Sequence, residues 1–388
     1  MTGPLSTKYG DETHTVYSGN TLNRLSHLRE DQTFLQNCFT SPTALFLPLR
    51  EFNPLLNSAA TKLVWLGRAD VEAATGQPYA RPLTEQAAAF NPETDASGAG
   101  RAQVLFLGVD ESAEGSTQTS KGVQVSGAPR FAVDVTVYEQ ATPDLRTAIG
   151  AVDENIKAKG SNPAEDFRSV IFGVHLEDAG EYSIIAEARI ILDWINRVRF
   201  CGGCGRRNMS VWGGFKLMCP SSFAGKTECP TKGRITNLSF PRTDCCVIMA
   251  VISHDGDKVL IGRGKRFRGN MYSCLAGFLE SGESIEDCVR REVYEEAGVR
   301  AGRVIMHSSQ PWPYPANIMI GCLAEVADAS PESAKIFLGH DEELLDAKWV
   351  SKHDLRLLCE GKTEADYSLP PSTSIAYQLL HAAAFNLY

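Results

Sequence analysis

GFLESGESIEDCVRREVYEEAGV, residues 277–299, carries seven acidic side chains in 23 positions. The four glutamates among them at Glu286, Glu292, Glu295 and Glu296 fall where a helix is expected, although like charges one turn apart destabilise a helix. Ser284 with Asp287 has the spacing of a capping box, so the helix is predicted to begin near Ser284. Gly298 suits its C-terminal stop. At about 100° per residue, Ile285, Val289, Val293 and Ala297 form an apolar stripe. Glu296 falls inside that arc, about 20° from Ile285, with Glu292 on its edge. A solvated face is the ordinary explanation of an acidic helix, but it does not account for a carboxylate within the core-facing stripe. Two carboxylates at i and i+4, partly removed from water, are protonated or destabilising unless a cation joins them. Hard oxygen ligands favour Mg2+ or Mn2+, which in turn grip phosphate oxygens. The segment reads as a metal cradle.

The surrounding chain has 388 residues, enough for two or three domains. Its hydrophobic content of 43% and charged content of 22% are those of a soluble globular protein. No apolar run approaches the ~20 residues that span a bilayer, so no membrane partner is expected. The N-terminal MTGPLSTKYGDETHTVYSGN has neither the basic nor the apolar region of a secretory signal. Thr2 stands where myristoylation needs glycine, and the final Asn-Leu-Tyr is not a Ser-Lys-Leu address. A cytoplasmic location is the expectation, and there the eleven cysteines stay reduced. A net charge of −9 argues against broad attraction to a polyanion, leaving room for a local basic stretch.

Three regions follow one another: 1–195, 196–240 and 241–388. The first alternates the β-rich runs TALFLPL, KLVWLG, AQVLFLGVD, FAVDVTVYE and SVIFGVHL with turns, and ends in the helical ARIILDWINRVRF. Within it, residues 111–127 read as an exposed hairpin loop or a disordered insertion, and Pro82 to Gly100 as similarly loose. No internal repeat stands out. In the second region Cys201, Cys204, Cys219 and Cys229 follow C-x2-C-x14-C-x9-C among glycines and prolines, a pattern that suits a structural tetrahedral Zn2+. The competing explanation is four unrelated buried thiols. So polar and Gly-rich a stretch has little core to bury them in. The third region alternates strands and helices: CCVIMAVIS and KVLIGRG joined by HDGD, an Asp-Gly hairpin signal, then SCLAGFLE, VIMHSSQ, NIMIGCLAEV, DAKWVS and a terminal helix in SIAYQLLHAAAF. An α/β domain with a mixed sheet is predicted. The three prolines of SQPWPYP, residues 309–315, forbid a regular strand or helix there and give a rigid loop that can hold aromatic faces toward a flat heterocycle, the alternative being a plain Pro-rich surface turn.

The acidic segment resembles the Nudix box, G-x5-E-x7-R-E-U-x-E-E-x-G-U, at Gly277, Glu283, Arg291, Glu292, Val293, Glu295, Glu296, Gly298 and Val299. That resemblance implies hydrolysis of a nucleoside diphosphate linked to another group. It assigns Glu292 and Glu296 as principal metal ligands with Glu295 assisting, and the three together as the catalytic carboxylates. It pairs Arg291 with Glu283 to orient loop and helix, and adds the carbonyl of Ala276 to the metal shell. The longer stretch SQPWPYPANIM resembles the SQPWPFPxSLM signature of the NADH pyrophosphatase branch, with Tyr314 for Phe and Asn317 for Ser. In that branch, too, a four-cysteine zinc module directly precedes the Nudix domain. FPR, EELLDAKW, PPSTSIAYQLL and YSGNTLNRLSHLR extend the similarity over most of the chain, least between about 80 and 165.

By this resemblance the C-terminal domain is a Nudix α/β/α sandwich, 196–240 a zinc ribbon, and 1–195 a degenerate Nudix-like α/β domain. Glu343 is implied as a further carboxylate at metal and substrate. Gln310, Pro311, Trp312, Pro313, Tyr314, Pro315, Ala316 and Asn317 would line the dinucleotide pocket. Phe278 and Phe240 would stack on a base, Ala376 would pack near it, and the Phe240-type ring reaching a neighbouring subunit implies a homodimer. A stacked base contributes roughly 1–3 kcal/mol, although either ring could instead be plain core. The implied reaction is NAD(H) + H2O giving NMN(H) + AMP. Removal of an NAD cap from RNA is the same cut on a larger substrate. A module that binds NAD-type ligands without hydrolysis is a third reading, and the intact box glutamates weigh against it. Peroxisomal delivery, known among eukaryotic relatives, is not supported by the C-terminal tripeptide.

Overall fold

The computed structural model describes residues 15–90, 101–139, 141–171, 174–222, 229–230, 238–267, 269–363 and 365–387. The chain divides into two compact units, one of residues 19–242 and one that joins residues 1–18 to 243–388. In the first, helix α1 (Gln32–Thr40) precedes strand β1 (Leu45–Arg50), short strands β2 (Asn53–Pro54) and β3 (Leu66–Gly67), and helices α2 (Arg68–Thr75) and α3 (Leu83–Ala89). Strand β4 (Val104–Asp110), the hairpin β5–β6 (Ser116–Gln118, Gln124–Ser126), β7 (Ala128–Asp134), α4 (Pro143–Ala158) and α5 (Ala179–Arg197) follow. The sheet order is β2-β1-β7-β4, with β3 also on β1, and it is mixed because β1 and β7 run parallel. Strands β1, β4 and β7 are buried along nearly their whole length, which is why they read as apolar runs and not as alternation. Phe46 and Phe131 stack at 5.1 Å in the middle of this core.

Two expectations for this unit need correction. SVIFGVHL forms no strand at residues 169–171 or 174–176, while 172 and 173 lie outside the described residues. At its end the Tyr182 hydroxyl donates to the Val174 carbonyl at 2.8 Å and accepts from the Leu176 N–H at 3.0 Å. Pro82 to Gly100 is not uniformly loose, because Leu83–Ala89 is helical and Ala87 is fully buried; residues 91–100 are outside the description. Residues 111–127 do form a hairpin, closed by Thr119 and Val123. Beyond α5, the strands β8 (Met209–Val211), β9 (Lys216–Met218) and β10 (Leu238–Ser239) make a small antiparallel sheet beside the cysteines.

The second unit holds β11 (Asp244–Ile252), β12 (Lys258–Gly264), β13 (Leu275–Phe278), α6 (Ile285–Ala297), β14 (Ala301–Trp312), β15 (Asn317–Val326), β16 (Leu344–Ser351), α7 (Lys352–Cys359) and α8 (Ile375–Phe385). Its sheet runs β14-β15-β11-β12-β16, with β11 parallel to β15 and β13 added to β11. Alternate residues of β11 serve two cores. Val247, Met249 and Val251 pack with Val289 and Val293 of α6, and Ile248, Ala250 and Ile252 with Leu379 and Leu380 of α8. The result is an α/β/α sandwich.

Strand β11 pairs with β13 over 246–249 and with β12 only at 251 and 252, so the sheet splits beside β13. The prolines of SQPWPYP do not keep the segment out of the sheet. Pro311 and Trp312 pair with Ile318 and Asn317, and only 313–316 form the turn. Strand β14 lies at the sheet edge, where a proline's missing N–H costs no ladder bond. Residues 15–18 dock on this unit, the Val16 N–H donating to the Thr373 carbonyl at 2.9 Å.

Candidate active site

Helix α6 starts where its cap dictates: the Ser284 hydroxyl accepts from the Asp287 N–H at 3.2 Å, and Gly298 ends the helix in the left-handed region at φ 71°. Its inner face contains Glu296, which is 4% exposed. One Glu296 oxygen accepts from the Ala276 N–H on β13 at 3.0 Å. Burial pushes this carboxyl up to about 8 against the Ala276 hydrogen bond, and the charges of Glu292, Glu343 and Asp341 push in the same direction as burial. Glu292 is raised as well, by burial first, with Arg291 opposing and Glu295 and Glu343 adding to the rise. Glu343 itself is exposed, just ahead of β16.

Gly277 leaves its space to Glu292. A Cβ there would sit 1.8 Å from Glu292 Cδ, so the carboxylate occupies the space that any side chain would need. Arg291 organises the remainder. It binds both oxygens of Glu283 at 2.7 and 2.9 Å, reaches Glu292 at 2.7 Å and Glu295 at 2.9 Å, and donates to the Phe278 carbonyl at 2.8 Å. The guanidinium holds the Glu283 carboxyl down at about 2, helped by the Glu280 N–H. Loop 279–284 is thereby clipped to the helix. The charge balance is uneven, since the charges that act most strongly on Glu296 are those of Glu292, Glu343 and Asp341, all negative. A divalent cation with oxygen ligands fits this donor set. The carboxylate oxygens do not converge as tightly as the cysteine sulfurs described below.

On the opposite face of β13, Phe278 is 53% exposed, which excludes its being a core ring. The register aligns Phe278, Cys246, Met319 and Gln310 across four strands, so the box and the β14–β15 turn share one end of the sheet. The rings of Trp312 and Tyr314 are 5.7 Å apart, and Tyr17 meets both edge-on at 6.0 and 6.1 Å.

In the other unit the four sulfurs of Cys201, Cys204, Cys219 and Cys229 lie within 4.8 Å of one another. Cys201 and Cys229 are 3.7 Å apart and Cys204 and Cys219 are 3.5 Å apart. The edge of a tetrahedron of thiolates around one metal is about 3.8 Å. The knuckle turn is formed by Cys201 accepting from Gly205 at 2.9 Å, with Gly205 at φ 71°. Such a centre can hold a metal and has no open position for chemistry.

Residues 246–370 match the NUDIX domain family. The NAD-capped RNA hydrolase of Schizosaccharomyces pombe is 35% identical over 375 residues, 95% of this chain and 93% of that protein. NAD-capped RNA hydrolase NPY1 of Saccharomyces cerevisiae is 32% identical over 384 residues, 96% of each. NAD-capped RNA hydrolase NUDT12 of Homo sapiens is 44% identical over 201 residues, 52% of this chain and 41% of that longer protein. The chain belongs to the Nudix hydrolases. Within them its similarity is to the NADH pyrophosphatase type.

Set on the geometry of this Nudix hydrolase, the sequence-derived residues fall into groups. Ala276, Gly277, Glu283, Arg291, Glu292, Glu295 and Glu296 gather where β13 meets α6, Gly298 only closes the helix, and the charge of Glu343 reaches Glu292 and Glu296. Trp312, Pro313, Tyr314, Pro315 and Ala316 sit at or in the β14–β15 turn, and Pro311 and Asn317 pair in its strands. Buried Asn317 has an Oδ1 with no hydrogen-bond partner among the described residues. Gln310 is 1% exposed with both amide ends engaged, donating to Val16 and accepting from the Ile375 N–H, each at 2.9 Å. It acts as a strut between β14, α8 and the N-terminal segment. Ala376 is buried, its carbonyl accepting from Cys274 at 3.5 Å. Phe240 belongs to the other unit, where its exposed ring lies 6.0 Å from Trp212. Tyr17 was missed. It is nearly 300 residues from its partners in the chain, and no local spacing marks it.

Proposed function

We propose that this Nudix hydrolase cleaves the pyrophosphate bond of NADH and NAD+ to NMN(H) and AMP. The observation that carries the reading is Glu296: a buried carboxylate with neighbouring negative charge and no ion pair among the described residues, at the split edge of a sheet. Glu292, Glu295, Glu296, Glu343 and the Ala276 carbonyl would hold Mg2+ or Mn2+. When bound, that ion lowers the pKa of a water and neutralises diphosphate charge. Arg291 keeps Glu292 and Glu295 aimed while its bond to Glu283 fixes the loop. The water oxygen bonds to one phosphorus as the bridging P–O bond breaks, and a cradle carboxylate accepts the released proton. Phe278, Trp312, Tyr314 and Asn317 would receive the bases and riboses at one end of the sheet. Phe240 would act from a second copy of the chain in a homodimer, with Ala376 backing the base pocket. Gln310 keeps only a supporting part.

The cysteine centre would hold one structural Zn2+, on the match of its sulfur spacing to a tetrahedral thiolate site. We further propose that 1–195, 196–240 and 241–388 are the evolutionary domains. A second reading, the same cut at the 5′ end of NAD-capped RNA, is favoured by full-length similarity to two proteins named NAD-capped RNA hydrolase. Chromatography of products from a dinucleotide panel, beside an NAD-capped RNA at matched concentration, tests both on protein of measured zinc content. AMP and NMNH appearing fastest from NADH supports the first reading; preferential release of 5′-phosphorylated RNA supports the second. Glu296→Gln is expected to lower kcat by roughly 10²–10⁴-fold with the fold intact. Near-normal turnover in that variant defeats the assignment.

A further inference from the structure

We propose that a cavity in the 19–242 unit is a second, non-catalytic binding site for a phosphorylated nucleoside. Helix α3, the loop 75–81, the start of β4 and the end of β8 enclose a volume of about 780 Å3. That is within the range of about 300–1,000 Å3 typical of small-molecule pockets. Among the described residues that line it there is no carboxylate, in a chain whose 47 acidic side chains outnumber 38 basic ones. Arg81 and Arg101 both line it, and neither is ion-paired among the described residues. Arg101 lies flat against the backbone of Gly76, where a Cβ would come within 2.7 Å of its Nη1 and 3.1 Å of its Cζ. A third cation stands close by, with Lys216 Nζ 3.7 Å from the centre of the Trp212 ring.

Such a set selects an anion, and arginine selects phosphate through paired planar N–H bonds. The rest of the wall selects a nucleoside. Trp212 supplies an indole for a base to stack on. Gln103 donates to Val104 at 2.9 Å and Ser210 at 3.3 Å, and Gln86 to the Arg81 carbonyl at 2.6 Å. Among the described residues neither glutamine's amide oxygen accepts a hydrogen bond, so both can accept from an exocyclic amino group or ribose hydroxyls. An inorganic anion uses the arginines alone and leaves the aromatic and amide walls idle.

Calorimetric titration of the full-length protein with AMP tests this directly. Wild type is expected to bind one equivalent beyond any taken by the catalytic cradle. The double variant Arg81→Glu/Arg101→Glu should lose that equivalent with an unchanged circular dichroism spectrum, and Arg101→Gln alone should weaken it about tenfold. NADH turnover should stay within about twofold in both, since neither residue touches the box. Equal stoichiometry in wild type and double variant overturns the site, and inorganic phosphate competing as strongly as AMP overturns its nucleoside specificity. Because the readout is binding, the proposal can fail or stand whether or not NADH proves to be the substrate.

Discussion

Gly277 and Glu292 share one volume of space, and this pair shows how the cradle depends on what is missing from a residue. Glu292 is half-buried and pushed toward protonation, yet it stays in place because β13 has no side chain at that point. Gly277→Ala would drive a methyl into the carboxylate at 1.8 Å, a distance that no rotamer adjustment of alanine relieves. The backbone strain is small compared with the displacement of a group held on its other side by Arg291. The expected outcome is a loss of kcat of roughly 100-fold with KM for the dinucleotide changed much less, because the displaced group serves the reacting phosphorus and not the bases. Steady-state kinetics on the folded variant checks this, and a change confined to KM contradicts it.

At the scale of elements, the β14–β15 hairpin depends on a segment far away in the chain. Tyr17 is 3% exposed and closes an edge-on trio with Trp312 and Tyr314, while Val16 accepts from Gln310. Residues 15–18 therefore brace the aromatic turn from outside. Tyr17→Ala removes that brace and leaves the box alone. KM is expected to rise by about five- to tenfold with kcat nearly unchanged, as when only ground-state positioning is lost. An equal fall in kcat would place Tyr17 in the chemistry instead.

The same comparison explains what could be read in advance. Helix α6 was legible to the residue at Ser284 and Gly298, because caps and periodicity are local. The inward Glu296 was legible from its angle on the helix, and the strands β11, β12, β13 and β15 from their apolar runs. The Arg291–Glu283 pair was accessible only through family resemblance, since neither residue's spacing announces the other. What local reasoning missed was decided by long-range neighbours. Pro311 is tolerated because β14 is an edge, and Val174 and Leu176 bond to the Tyr182 hydroxyl eight and six residues on. Tyr17 is recruited from the opposite end of the chain.

At the scale of the whole molecule, stability of the 19–242 unit rests partly on an ionisable group unrelated to catalysis. Glu187 of α5 is buried, accepts from Asn20 at 2.8 Å, and lies 3.3 Å from Arg24 and 3.7 Å from Arg29. One of its oxygens has no hydrogen-bond partner among the described residues, and the Arg29 guanidinium lies over the face of Phe215, 3.3 Å from its centre, four residues before Cys219. Three distant stretches of chain therefore meet at one poorly solvated carboxyl. Burial pushes it up to about 7, with Arg24, Arg29 and Asn20 pulling down less strongly. The sign of the linkage follows. Between the ordinary value of 4.5 and about 7 the folded state keeps a proton that the unfolded chain has released, so stability falls as pH rises through this window and is level above it. The full effect is about 3 kcal/mol at most. In urea unfolding of the full chain from pH 5 to 8, Glu187→Gln should lack this part of the slope, because groups shared with wild type cancel in the difference. Relative to wild type the variant is expected to gain stability as pH rises. Parallel pH profiles for the two proteins would mean that Arg24 and Arg29 neutralise the buried charge after all.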